Sequence, residues 1–82
     1  MRLDKYLKVS RLIKRRTVAN EACDAGRILA NGKVARASYE VKEGDLLTIN
    51  LGSAPLTVKV LSVAEHAKKE EAALLYTVVQ QQ

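Results

Sequence analysis

The hydrophobic period of this chain changes at Gly26, and that change limits the possible folds more than any other feature of the sequence. Before it, Leu3, Tyr6 and Leu7 stand at i, i+3 and i+4, the spacing of one helical face, while Arg2, Lys5 and Lys8 project from the other. Continued at about 100° per residue, the same helix would turn Leu12 and Ile13 about 120° away from the Leu3/Leu7 stripe, so it breaks near Val9-Ser10. Ser10 is expected to cap a following turn that carries Arg11 and buries Leu12 and Ile13. Thr17 is the expected N-cap of a second helix, about Val18 to Ala25, burying Val18, Ala19, Ala22 and Cys23, with Gly26 as the left-handed residue that stops it.

After Gly26 the pattern is that of strands and turns. Ile28-Leu29-Ala30 and Lys33-Val34-Ala35 flank Asn31-Gly32, a strong hairpin signal, because a type I′ turn needs two residues at positive φ. Glu43-Gly44-Asp45 marks another turn, before an apolar strand from Leu46 to Leu51. Gly52-Ser53-Ala54-Pro55 is the next, and Leu56, Val58 and Val60 then alternate with Thr57, Lys59 and Leu61. Residues Ala64 to Ala73 read as a polar loop or short helix, and Leu75 to Val79 as a last strand.

Charge is as unevenly distributed as period. Residues 1–16 hold Arg2, Lys5, Lys8, Arg11, Lys14, Arg15 and Arg16 against one acid, Asp4, a local balance of +6. From Thr17 onward seven bases meet eight acids, so the net +5 of the chain belongs to its beginning. Like charges gathered in this way repel one another and point to an anionic partner such as a phosphate backbone. The arginines sharpen that reading, because a planar guanidinium grips phosphate through two hydrogen bonds. Lys14, Arg15 and Arg16 precede the N-terminus of the second helix, where unpaired N–H groups add a second attraction for phosphate. Arg27, Lys33 and Arg36 flank the tight Asn31-Gly32 turn and are further candidates for phosphate contact.

Eighty-two residues make one domain with a small core and little room for an elaborate active site. Three Tyr, with no Phe or Trp, disfavour the stacking platforms that read single strands, so a folded and largely double-helical RNA shape fits better. A single cysteine and the lack of a signal-peptide pattern point to the reducing cytoplasm. The longest apolar runs fall far below the roughly 20 residues of a membrane span. No catalytic set assembles around Cys23 or His66: the thiol reads as a packed small hydrophobe and the imidazole as a solvated side chain. The acids have no metal-loop spacing and no Gly-rich phosphate loop is present, so neither enzyme, cofactor nor metal is expected. The alternative to RNA binding is a basic adapter that meets an acidic protein partner without touching RNA.

The ordered set Arg2-Leu3-Asp4-Lys5-Tyr6-Leu7, Arg11 with Lys14-Arg15-Arg16, Ala22, Gly26 to Val34, and Val41-Lys42-Glu43-Gly44-Asp45 resembles the RNA-binding domain named after ribosomal small-subunit protein S-four. The resemblance covers about Met1 to Leu51. It implies an α+β fold, two short helices on a small bent antiparallel sheet, that binds structured RNA on its helical face; the strands read from the pattern within 56–79 are expected to complete a single domain. The length and whole layout, including Lys68-Lys69-Glu70-Glu71-Ala72-Ala73 and Tyr76-Thr77, are similar to the RqcP family, short relatives of the fifteen-kilodalton heat-shock protein. That similarity implies a ribosome-associated quality-control factor on large subunits obstructed by peptidyl-tRNA. It would contact ribosomal RNA (rRNA) and transfer RNA (tRNA), act as a monomer, and support an RqcH-like elongation partner during C-terminal alanine tailing.

Overall fold

A computed structural model describes residues 1–79 of the chain. Its elements, in chain order, are α1 (Leu3–Val9), α2 (Arg16–Asp24), β1 (Ile28–Ala30), β2 (Lys33–Val34), β3 (Leu46–Ile49), β4 (Leu56–Val60), α3 (Lys69–Ala72) and β5 (Tyr76–Val78). The strands form one antiparallel sheet in the order β2-β1-β3-β4-β5. The α+β architecture expected from the sequence is the one observed.

The core follows from two periodicities meeting. Leu3, Tyr6 and Leu7 of α1 and Ala19, Ala22 and Cys23 of α2 are buried in one cluster with Ile28, Ala30, Leu47, Ile49, Val58 and Val60 of the sheet. The register explains the sheet side: Ile28 pairs with Ile49, Ala30 with Leu47 and Leu47 with Val58, which puts all of them on one face. The small Ala19, Ala22 and Cys23 let α2 lie close against α1. Val18, expected in the core, is 44% exposed because it sits about 100° round the helix from Ala19.

Both helix junctions differ from the expected caps. The Ser10 hydroxyl is buried and donates back to the Leu7 carbonyl at 3.3 Å, so it finishes α1 instead of capping the next turn. Arg11 then takes a left-handed conformation, φ 63°, a place usually held by glycine. Its N–H bonds the Lys8 carbonyl and the Ile13 N–H bonds the Leu7 carbonyl, both at 3.0 Å, which folds the chain over and buries Ile13 while Leu12 is half-buried. The second helix begins one residue before Thr17, with Arg15 extended as its N-cap and no side-chain hydrogen bond closing it. Thr17 therefore lies inside the first turn. At the other end the Arg27 and Gly26 N–H groups bond the Ala22 and Cys23 carbonyls, each at 3.0 Å, with Gly26 at φ 74°.

The β1–β2 hairpin turns on Asn31 (φ 53°) and Gly32 (φ 83°), both left-handed as a type I′ turn requires. The Asn31 side chain also locks the hairpin to β3, donating to Asp45 Oδ1 at 3.1 Å and accepting from the Leu46 N–H at 3.0 Å. Far along the chain, the buried Tyr6 hydroxyl donates to the Leu75 carbonyl at 2.7 Å and pins the last strand to α1.

Candidate nucleic-acid interface

Five of the seven cationic residues of the amino-terminal segment gather in two groups, Arg2 with Arg16 and Lys8 with Arg11 and Lys14. The first is built around Asp4. Its carboxylate, 3% exposed, accepts from Arg2 Nε at 3.2 Å and Arg2 Nη2 at 3.4 Å, from Arg16 Nη2 at 3.4 Å, from Asn20 Nδ2 at 3.2 Å and from the Lys5 N–H at 2.8 Å. Burial alone would raise this carboxyl's pKa, but the hydrogen bonds from Asn20, Arg2, Arg16 and Lys5 outweigh it and hold it below the ordinary value. Two guanidinium groups share one carboxylate, so a positive charge is left over, and each arginine side chain stays about half exposed at 51% and 48%. Asp4 orients the pair and offsets one of its two charges. Thr17 and Glu21 complete the wall of a shallow depression at this point.

The second group lines a shallow groove of about 430 Å³ beyond the end of α1, where Lys8, Arg11 and Lys14 face Glu65, His66 and Ala67 of the distant 61–68 segment. The left-handed turn at Arg11 reverses the chain here, and Lys14 lines the same groove as Lys8. Lys5 makes an ion pair with Glu65, whose carboxyl is held below its usual range by that lysine. His66 is exposed, as expected.

The two helix N-termini differ in a way that matters for anions. At α1 the Leu3 and Asp4 N–H groups donate to the Tyr39 and Ala37 carbonyls at 2.8 and 3.1 Å, so that end is closed. At α2 the N–H groups of Arg16, Thr17 and Val18 meet no acceptor among the described residues, and Arg15 and Arg16 stand exposed beside them. Such an end attracts phosphate through both its donors and its partial charge.

The remaining sequence candidates lie farther out. Arg36 is exposed in the loop whose next residue, Ala37, caps α1. Arg27 follows the C-terminus of α2, about 13 Å along a nine-residue helix from Arg16. Lys33 is exposed on the edge strand β2 beside the Asn31-Gly32 turn. Several residues of the site are not picked out from sequence. Asp4 had a signal, being the one acid among seven bases. Asn20, Glu65 and His66 had none that would place them here.

Cys23 is buried, and burial, with Asp4 and Asp24 nearby, pushes its thiol up to about 11, so it stays protonated and packs as a small apolar side chain. Among the described residues no group of His, Cys, Asp or Glu could hold a metal ion, and no helix is long and apolar enough to cross a membrane.

Residues 1–47 match the S4 domain. The chain is 59% identical to the RQC P-site tRNA stabilizing factor of Halalkalibacterium halodurans, over 95% of this chain and 89% of that one. It is 55% identical to the protein of the same name from Bacillus subtilis, over 100% of this chain and 95% of that one. Among solved structures it resembles the trimeric Heat Shock Protein 15 of Vibrio cholerae with a TM-score of 0.90 and 29% identity, over 96% of this chain and 81% of that one.

Proposed function

Because the chain belongs to the S4 domain family and, within it, to the group of the RQC P-site tRNA stabilizing factors, we propose that it is a non-catalytic RNA-binding protein of ribosome quality control. It holds the peptidyl-tRNA in the P site of an obstructed large ribosomal subunit. In this reading Arg2, Arg11, Arg15 and Arg16 grip ribosomal RNA and the adjoining tRNA, with Lys5, Lys8 and Lys14 neutralising further phosphates. Arg27, Lys33 and Arg36 extend contact along the sheet side. Keeping the tRNA in place between rounds of elongation supports C-terminal alanine tailing by an RqcH-like partner, in the cytoplasm, with this chain acting as a monomeric single domain.

The observation that carries the reading is the paired exposure of Arg2 and Arg16 beside an uncapped helix N-terminus, together with the Lys8, Arg11 and Lys14 groove beyond the end of α1. All three features offer donors and positive charge to phosphate, and none requires a chemical step.

The test is cosedimentation of the tagged protein with large subunits carrying peptidyl-tRNA, before and after puromycin discharges the chain. Retention before treatment and release after it is the expected result. Equal recovery with and without puromycin, or recovery that survives nuclease digestion of the RNA, would count against it.

A further inference from the structure

A buried carboxylate is out of place in a surface meant for phosphate, because each anion there weakens the attraction for RNA. Yet Asp4 occupies the middle of the first cationic group with its side chain 3% exposed. Its two oxygens are saturated: Oδ1 accepts from Arg2 Nε, Arg16 Nη2 and the Lys5 N–H, while Oδ2 accepts from Arg2 Nη2 and Asn20 Nδ2. Arg2 Nη1 and Arg16 Nε and Nη1 make no hydrogen bond to the described residues. The seam between α1 and α2 is already packed by Leu3, Leu7, Ala19, Ala22 and Cys23, so an ion pair is not needed to join the helices.

We propose that Asp4 is a positioning residue: its carboxylate splints Arg2 and Arg16 into one fixed pair whose outward N–H groups receive the phosphates of RNA. The inference rests on the RNA-binding reading above and deepens it. An arginine on a free stem must be ordered when it binds, at an entropic cost, whereas these two are held in advance by a group that the ligand never touches. Asn20 serves as a brace on the splint, holding Oδ2 from the α2 side.

Charge and geometry give opposite signs for one substitution. Asp4→Asn raises the net charge of +5 by one, so attraction alone predicts tighter binding to large ribosomal subunits. Positioning predicts binding about tenfold weaker, with the circular dichroism spectrum and a cooperative melt retained. In a chain already carrying Arg2→Ala and Arg16→Ala, Asp4→Asn should weaken binding no further, since nothing is left to hold and only the gain in positive charge remains. Equal or tighter binding by Asp4→Asn, or the same fold-loss with both arginines absent, would overturn the proposal while leaving RNA binding intact. If Asp4→Asn does not fold, Asn20→Ala carries the test: it changes no charge, and binding about threefold weaker is expected. Unchanged affinity in that variant overturns the proposal. Wild-type protein that fails to bind the subunits at all removes the RNA reading, and this inference with it.

Discussion

Arg16, the first residue of α2, donates from Nη2 to Asp4 Oδ1 of α1 across 3.4 Å, so the end of the basic amino-terminal segment is tied to the only acid within it. Half of the arginine side chain remains exposed beside the uncapped end of α2. The contact orients the guanidinium and leaves donors for a second partner.

Replacing Arg16 should therefore weaken binding far more than folding. Arg16→Ala is expected to cost about 1 to 3 kcal/mol of affinity for large ribosomal subunits, with the circular dichroism spectrum unchanged. Loss of that spectrum would make the residue structural.

Arg11 offers a case in which stability and binding should move in opposite directions. Its left-handed backbone at φ 63° strains any side chain, while the cation it carries lines the groove with Lys8 and Lys14. Arg11→Gly should stabilise the fold by about 1 kcal/mol in a denaturant titration and weaken RNA binding at the same time. A destabilised Arg11→Gly protein would show that the side chain packs against the fold.

The Tyr6 hydroxyl donates to a Leu75 carbonyl that also accepts from the Leu61 and Ser62 N–H groups at 2.8 and 3.2 Å. Because the acceptor keeps those donors, Tyr6→Phe should cost only about 1 kcal/mol, the net value of one hydrogen bond. A loss several times larger would mean that the contact closes the whole carboxyl-terminal segment onto α1.

Acid should unfold the protein through two carboxylates. Burial would raise both Asp4 and Asp45, but hydrogen bonds hold them below the ordinary 3.8: Asn20, Arg2, Arg16 and the Lys5 N–H at Asp4; the Lys42 N–H, Asn31 and Tyr39 at Asp45. A lowered folded-state pKa means that the native state binds the proton less readily than the unfolded chain. The stabilisation is thus fully present above the ordinary value and is lost as pH falls through the lower folded one. Stability should be level from about pH 7 to about pH 5 and fall below about pH 4, with a shallower fall in Asp4→Asn and Asp45→Asn. An acid slope identical in the wild type and both variants would contradict this.

What could be read from sequence was what local chemistry decides. Gly26 and Asn31-Gly32 were legible because a left-handed residue at a helix end and a type I′ turn each demand particular side chains at particular positions. The basic segment was legible because charge is counted, not folded. Arg11 was not, since nothing local distinguishes an arginine forced left-handed by the burial of Ile13 from one in an ordinary turn. Thr17 looked like the cap, but α2 starts from the extended Arg15 and leaves its first N–H groups open. The contacts of Asp4 with Arg16, Lys5 with Glu65 and Tyr6 with Leu75 join residues far apart in the chain, and only the fold brings them together.

A cationic surface that grips RNA through its phosphates must release counterions on binding, so affinity must depend steeply on salt. With about five phosphates engaged, the logarithm of the association constant for large ribosomal subunits, at fixed magnesium, should fall against the logarithm of monovalent salt with a slope of roughly −4 to −5. An affinity that does not change with salt would show that phosphate contacts do not hold the complex.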